Sequence, residues 1–310
     1  QNFQLNLPAT PVTDIKVAHK DLVLSTQGRS FWILDNLTPL HQLEEQPITL
    51  FTPRDAVRSP ATRGGGRGST LQFPLPGAQI DYYLATAPTD DVVMEILDAN
   101  GKLVRKFTSS TGTAADAAPA PDAADAGGGD DSEGGPRMRT GPTRLDKTPG
   151  MHRFTWDLRN PGAWMNANRP EAPNGPVAVP GKYAVRLTVG SWTATKPLTI
   201  TEDPRILKSG VTVDDLREQF EHNMKVRDLV SEVNHLVARI RAAGPKAADV
   251  AAHVITPTIR YSKPELQTHI TYLYSVTNGP DQKIGRDVID RYQALRKELA
   301  QRTAEFEAMK

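Results

Sequence analysis

Residues 192–220, WTATKPLTITEDPRILKSGVTVDDLREQF, contain a change in the spacing of the apolar side chains. Up to Thr201 the alternation of side chains is typical of a β-strand with one buried face. After Asp203-Pro204 the apolar residues follow the 3.6-residue period of an α-helix, and Thr212 is a good helix N-cap. The chain is therefore predicted to be mainly β before this stretch and to end in an α-helical tail.

The tail, residues 204–310, is predicted to form an antiparallel helix bundle. Its first helix ends at Gly244-Pro245, and a short helix is expected around Ala247 to Val254. Ser262-Lys263-Pro264-Glu265 has the S-x-x-E form of a capping box for the next helix, which stops at Gly279-Pro280. Apolar residues at helical spacing define the three longer helices: Leu216, Phe220, Met224, Leu229, Val233, Leu236 and Ile240, then Leu266, Ile270 and Leu273, then Ile284, Val288, Tyr292, Leu295, Leu299 and Phe306.

Residues 70–203 are predicted to form a β-sandwich that carries an insert. Asp98-Ala99-Asn100-Gly101 is expected to be a tight hairpin turn, because Asn-Gly accepts the positive φ of such turns. The insert, 108–148, lacks the apolar residues needed to offset its ordering entropy and is predicted to be disordered. Six strands are expected: Gln79 to Leu84, Val92 to Leu97, Leu103 to Phe107, His152 to Leu158, Gly181 to Val189 and Trp192 to Thr201.

Residues 1–52 alternate like a meander of about four short strands, beginning with Phe3 to Leu7. Four strands make one propeller blade, and a lone blade has two open edges and an unburied face, so it needs neighbours. A flexible linker, 53–69, is predicted to follow, because it contains Arg63-Gly64-Gly65-Gly66-Arg67-Gly68. This glycine run follows no strand and opens no helix, so it does not fit a phosphate-binding loop.

The composition limits the classes of partner and chemistry. The 310 residues carry 37 Lys and Arg against 36 Asp and Glu, a net charge of +1, which gives no basis for nucleic-acid binding. The chain has no Cys, so disulfides, cysteine nucleophiles and thiolate metal sites are excluded. No apolar run reaches the length of a membrane span. Because the first residue is Gln1, we expect a processed product, an expressed fragment or a piece of a longer protein.

One segment has a specific resemblance to a known family. The run from Asp21 to Asp35, DLVLSTQGRSFWILD, followed by Leu37-Thr38-Pro39-Leu40, resembles the last blade of large bacterial sortilin-like, BNR-repeat β-propeller proteins, often named as glycosyl hydrolases. The family usually has His at the position of Gln27. The middle region resembles the immunoglobulin-like module of flagellar hook-capping proteins, on the segments Val93 to Asp98 with Gly101-Lys102, Phe154 to Asp157 and Val179 to Tyr183.

The resemblance implies a closing propeller blade, an Ig-like β-sandwich and a helix bundle, in a secreted or periplasmic parent. The function it favours is a non-catalytic accessory or assembly region, whose partners are the remaining propeller blades of the same parent or of another chain. Two alternatives stay open: part of a glycoside hydrolase whose carboxylates lie upstream, or a structural subunit that docks on a separate propeller chain. Carbohydrate and peptide remain candidate ligands, and no cofactor is implied.

No catalytic residue or metal ligand is assigned from the sequence, and the substrate-binding residues stay unknown. A glycosidase needs two carboxylates at a defined separation across a cleft. The sequence contains three pairs of adjacent Asp residues, and each has a simpler explanation: in chain order, a turn, part of the insert and the first turn of a helix. These pairs are Asp90-Asp91, Asp130-Asp131 and Asp214-Asp215, and Asp157 is a further carboxylate of the sandwich.

The other candidates are weaker. His222 and His235 are not separated by the three or four residues of a two-His metal face. His152 and Arg153 are expected to be solvated polar residues. Trp164, in a loop with Met165, Asn166 and Asn168, is a candidate platform for a sugar, against ordinary loop packing. On the blade, Gln27 and Asp35 are candidates for channel contacts, Gly28 is expected to be a turn residue, Arg29 to pair with backbone or Asp35, and Trp32 to pack between blades.

Overall fold

The computed structural model describes residues 7–59, 76–110 and 144–309. Their strands form three sheets and their long helices follow the last strand, which confirms the predicted order of a β-rich part and a helical part. The strands are β1 Val12–Ala18, β2 Asp21–Thr26, β3 Phe31–Leu34, β4 Ile48–Leu50, β5 Ala56–Arg58, β6 Ala78–Leu84, β7 Val92–Asp98, β8 Leu103–Thr108, β9 Gly150–Trp156, β10 Gly181–Val189 and β11 Trp192–Glu202. The helices are α1 Pro204–Lys208, α2 Val213–Ala243, α3 Ala248–Val254, α4 Leu266–Thr277 and α5 Arg286–Glu307.

The N-terminal sheet consists of β1, β2 and β3, paired antiparallel in that order. His19 and Lys20, both with positive φ, form the turn between β1 and β2. Gly28 has a φ of +74° in the turn between β2 and β3, as a turn glycine requires. The expected first strand, Phe3 to Leu7, falls outside the described residues except for Leu7.

Two larger sheets, in the orders β5-β11-β10-β7-β8 and β4-β6-β9, share one apolar core and form what we call the two-sheet unit. Ile80 and Trp156 enter this core from the smaller sheet, and Met94 and Leu187 enter it from the larger one. Each of the six expected strands occurs within two residues of its predicted ends. The hairpin turn is confirmed, because the Asp98 carboxylate accepts hydrogen bonds from the backbone N–H groups of Asn100 and Lys102.

The strand pairing differs from the expected domain boundaries. β4, which the sequence places at the end of the blade, pairs with β6, and β5, which falls in the expected linker, pairs in parallel with β11. Both therefore belong to the two-sheet unit. Their partners are distant in the sequence, so the local pattern of three residues carries no information about the pairing. The linker residues from 60 onward, with the glycine run, lie outside the described residues.

The expected disorder of the 108–148 insert is wrong at its ends. Residues 111–143 lie outside the described part of the chain, but Leu145 is buried in the core of the two-sheet unit. The Leu145 backbone N–H donates to the Thr108 carbonyl at 3.2 Å, and Arg144 Nε donates to the Ser109 carbonyl at 2.6 Å. The chain therefore leaves β8 and returns towards β9 at neighbouring points.

Four helices, α2 to α5, share a second apolar core, and we call residues 204–309 the helical region. Thr212 caps α2 in a reciprocal capping box with Asp215, and Gly244 ends the helix with a φ of +62°. The capping box expected at Ser262 is wrong: α4 begins two residues after Pro264, and Ser262 Oγ donates to the Pro257 carbonyl instead. Thr256 Oγ1 accepts the backbone N–H of Glu265, so the preceding loop is closed by a different residue.

The connection between β9 and β10, residues 157–180, crosses from the two-sheet unit to the helical region, and we call it the crossing loop. Ala163 is part of the helical core, and the Trp164 backbone donates to Ser231 Oγ at 3.0 Å. A Cβ atom on Gly175 would lie 1.8 Å from the Asn160 carbonyl oxygen, so only glycine fits this close approach of two backbones.

Candidate functional site

The N-terminal sheet exposes apolar side chains on both of its faces. Ile15 and Val17 of β1 are 61% and 63% exposed, and Phe31 and Ile33 of β3 are 73% and 64% exposed. Cross-strand partners point to the same face, so Ile15 shares one face with Leu24 and Trp32, and Val17 with Leu22 and Leu34. The other face carries Phe31, Ile33 and Val23. Exposed apolar surface of this kind marks interaction sites.

The edges of this sheet are also open. Within the described residues, β1 and β3 each have one neighbouring strand, and their outer edges have none. An unpaired edge presents a row of backbone donors and acceptors that a strand of a partner can join. Open edges and apolar faces together define the candidate functional site.

A polar cluster fixes this sheet to the two-sheet unit, and we call it the N-terminal joint. The buried Asp81 carboxylate on β6 accepts from Arg153 Nε at 2.7 Å and from Asn36 Nδ2 at 3.2 Å. Arg54 pairs with Asp21 at 2.8 Å. Because these contacts are polar and lie at one end of the strands, the sheet is held in place while both of its apolar faces stay uncovered.

The blade candidates fall in this region, and the structure separates them. Gln27 lies in the β2–β3 turn, and its backbone N–H donates to the carbonyl of Pro11, which precedes β1. Trp32 Nε1 donates to the Arg29 carbonyl at 2.9 Å, while the Arg29 side chain is exposed. Asp35 belongs to the N-terminal joint: its carbonyl accepts from Arg153, and its carboxylate accepts from Gln79 Nε2 at 3.5 Å. The structure therefore brings Asp35 together with Gln79 and with Arg153, which was expected to be solvated and instead pairs with the buried Asp81.

The two carboxylate pairs within the described residues lie in different parts of the fold. Asp90 and Asp91 are exposed before β7, and Asp91 accepts from Ser109 Oγ. Asp214 and Asp215 lie in the first turn of α2, as predicted, and the hydrogen bonds from Thr212 lower the pKa of Asp215. Asp130 and Asp131 lie outside the described residues.

Asp157, the remaining carboxylate candidate, accepts the backbone N–H of Arg159 at 3.0 Å in the crossing loop. No group of three or more His, Asp or Glu side chains that could hold a metal ion occurs in the part of the chain described by the structure.

The aromatic and histidine candidates take part in packing. Trp164 is stacked on His235, with ring centroids 3.7 Å apart and planes inclined by 16°, so one face of its ring is covered. The loop residues Met165, Asn166 and Asn168 are exposed beside it. The expectation that His152 is solvated is wrong: its side chain is 11% exposed and its ring lies 5.0 Å from that of Tyr82.

A groove of about 460 Å³ lies between α2 and α5. His222 and Tyr292 form its floor in an edge-on contact, with ring centroids 5.8 Å apart, and Glu221 and Arg296 are among its charged rim residues. Burial, followed by the nearby Lys225, lowers the pKa of His222 and favours its neutral form. The groove carries charges of both signs, so it does not select a ligand of one charge.

A second polar cluster joins β5 to the helices, and we call it the helical joint. Arg58 Nη2 donates to Asp281 Oδ1 at 2.7 Å, and both side chains are largely buried. Gln219 Nε2 donates to the Thr277 and Pro280 carbonyls, and Asn223 Nδ2 also donates to Thr277. Burial lowers the pKa of Arg58 and raises that of Asp281. Sequence reasoning missed this cluster, since 223 positions separate the ion pair.

Comparisons with protein families, with curated proteins and with solved structures find no match to this chain. Among the residues that the structure covers, no helix is both long and apolar enough to cross a membrane.

Proposed function

We propose that this chain is a non-catalytic accessory region that docks its N-terminal sheet on the β-strands of a propeller, in the same parent protein or in another chain. The observation that carries the proposal is the exposure of Ile15, Val17, Phe31 and Ile33 on a sheet with open edges. In a propeller, neighbouring blades cover both faces of each sheet. A neighbouring blade on each side would bury the apolar residues of both faces.

The finer fold assignments belong to the same proposal. The N-terminal sheet would be the closing blade, the two-sheet unit an Ig-like sandwich and the helical region an antiparallel bundle. The two sheets around one core, and the four helices around another, support this reading. The resemblance of the segment from Asp21 to Asp35 to sortilin-like blades supports a secreted or periplasmic parent.

The first experiment places a photo-crosslinking residue, benzoylphenylalanine, at Phe31 in the protein expressed in its native source. The matched control carries the same probe at Tyr272, which is 68% exposed on α4. We expect the Phe31 probe to yield cross-links to propeller strands, identified by peptide mass spectrometry, and the Tyr272 probe to yield none. Equal cross-linking from both positions, or cross-links from Phe31 to a chain without β-repeats, would contradict the proposal.

The second experiment tests the apolar faces directly. Ile15→Lys with Ile33→Lys places one charge on each face at positions that are already exposed, so the melting temperature should stay within a few degrees of the native value. Association with the propeller should be lost, because docking would bury both charges without partners. Retained association in a correctly folded double variant would show that the sheet is not the docking surface.

A further inference from the structure

Four buried polar atoms of the helical joint have no hydrogen-bond partner among the described residues. They are Nε and Nη1 of Arg58, Oε1 of Gln219 and Oδ1 of Asn223. All three residues are more than nine-tenths buried. A buried polar group without a partner destabilises the fold, so four such atoms in one place require an explanation.

These three residues line one cavity. It lies between β5, the crossing loop, α2 and the 278–281 turn, and its volume is about 10 Å³. A volume of this size holds about one water molecule. An organic ligand or a hydrated ion does not fit.

The orientation of both amides is determined by their other contacts. Gln219 Nε2 donates to the Thr277 and Pro280 carbonyls, at 2.8 and 2.7 Å, and Asn223 Nδ2 donates to the same Thr277 carbonyl at 3.0 Å. If either amide were turned over, its oxygen would face a carbonyl oxygen. The free atoms of the amides are therefore their oxygens, which accept hydrogen bonds only.

We propose that the helical joint contains a binding site for one structural water molecule. The water donates its two hydrogens to Gln219 Oε1 and Asn223 Oδ1 and accepts one N–H of Arg58. Nε–H and the Nη1 hydrogens point to different sides of the planar guanidinium group, so one water reaches only one of these nitrogens and accounts for three of the four unpartnered atoms. The water then makes three hydrogen bonds, the usual number for a buried water.

Other small species do not match the set of free atoms. A chloride ion accepts hydrogen bonds but cannot donate to the two amide oxygens. An ammonium ion donates but cannot accept from Arg58, and its charge would repel the guanidinium group. Only a neutral molecule that both donates and accepts satisfies the site, and the cavity limits that molecule to the size of water.

The water would link the two parts that meet at the joint. Arg58 belongs to β5 of the two-sheet unit, and Gln219 and Asn223 belong to α2 of the helical region. The direct contact of Arg58 with the helical region is its ion pair with Asp281. The water therefore adds a hydrogen-bonded connection from Arg58 to α2, for which no direct hydrogen bond occurs among the described residues.

The test is a crystal structure of the whole chain at about 1.8 Å resolution, grown without ammonium, together with a crystal soaked in bromide. We expect a spherical density peak within hydrogen-bond distance of Gln219 Oε1, Asn223 Oδ1 and one Arg58 nitrogen, and no anomalous bromide signal there. Direct pairing of these four atoms with protein groups, or a bromide signal, would overturn the proposal.

Magnetic relaxation dispersion of water gives a second readout in solution, since it counts long-lived internal waters. Asn223→Leu removes one acceptor and fills the cavity, while the Thr277 carbonyl keeps its bond from Gln219. We expect this variant to have one internal water fewer than the native protein. The matched control is Asn234→Leu on the same helix, because both ends of the Asn234 amide are bonded to protein groups. An unchanged count in a folded Asn223→Leu variant would also overturn the proposal.

Discussion

The N-terminal sheet and the helical region both contact the two-sheet unit, but they differ in whether their apolar residues are exposed or buried. The helical region buries its apolar faces in a core of its own and contacts the two-sheet unit through the crossing loop and the helical joint. The N-terminal sheet leaves Ile15 and Ile33 in solvent and is held by polar contacts at one end. One neighbour therefore buries its apolar faces within the described chain, whereas the other leaves apolar side chains on both of its faces exposed.

The largest difference in the free energy of unfolding is expected between a variant that breaks the ion pair of the helical joint and one that breaks the ion pair of the N-terminal joint. Arg58→Met leaves Asp281 buried without its partner and should lower the free energy of unfolding by about 3–5 kcal/mol. Arg54→Met breaks the more exposed pair with Asp21 and should cost about 1 kcal/mol or less. Urea unfolding of both variants measures the difference. Arg58→Met combined with Asp281→Leu should recover most of the lost free energy of unfolding. Equal losses for Arg58→Met and Arg54→Met would contradict the predicted difference between the two joints.

The second prediction compares the loss of stability at a buried isoleucine with that at an exposed isoleucine. Ile270 lies in the helical core with no exposed surface, and Ile33 lies on the N-terminal sheet. Ile270→Ala should cost about 2–5 kcal/mol, because it removes buried methyl groups and leaves a cavity. Ile33→Ala should stay within about 0.5 kcal/mol in the isolated chain. Thermal unfolding checks both, and a large loss for Ile33→Ala would mean that the isolated chain already covers this face.

A smaller effect concerns the start of α2. Thr212→Ala removes the acceptor for the Asp215 backbone N–H, while the backbone N–H of residue 212 can still donate to the Asp215 carboxylate, and it should cost about 1 kcal/mol. Thr212→Ser is the control, because serine caps helices as well as threonine does. Circular dichroism during urea unfolding would report the change in the helical signal. Similar midpoints for the alanine and serine variants would show that packing alone fixes this end of the helix.

The smallest effect is a dependence on pH at the beginning of the helical region. Hydrogen bonds from Arg205 hold the pKa of the buried Asp203 below its ordinary value of 3.8. This pair therefore stabilises the fold above pH 3.8, and its contribution is lost as the pH falls through the folded-state pKa. Asp203→Asn keeps a capping side chain without the charge.

The stability difference between native protein and Asp203→Asn should be greatest near neutral pH and shrink below pH 3.8. Unfolding experiments at a series of pH values provide the measurement. A difference that stays constant down to pH 2 would show that the Asp203 charge contributes nothing.

Much of the fold could be predicted from local signals. The Asp98 to Gly101 turn, the Thr212 cap and the Gly244 stop each depend on residues that are close in sequence, and the structure confirms all three. The capping box at Ser262 failed because the same local pattern had a competing partner, the Pro257 carbonyl. The sequence shows the S-x-x-E pattern, but it does not show the loop geometry that determines which group the Ser262 hydroxyl contacts.

The contacts of the site residues could not be predicted, because they depend on pairing between strands that are distant in the sequence. β5 joins β11 in parallel, and this pairing brings Arg58 to Asp281, although nothing near either residue in the sequence indicates the other. Asp81 and Arg153 likewise meet because β6 and β9 are neighbours. The exposure of the N-terminal sheet was expected from its strand pattern, since a blade without neighbours has nothing to cover it.

The hydrogen bonds from Leu145 to Thr108 and from Arg144 to Ser109 have a practical consequence for protein engineering. They bring the two flanks of the 111–143 segment within one hydrogen bond of each other. A guest domain whose own termini lie close together could replace this segment without stretching either flank, as in successful domain insertions. A fluorescent protein inserted between residues 110 and 144 would then mark the chain at this point of the two-sheet unit.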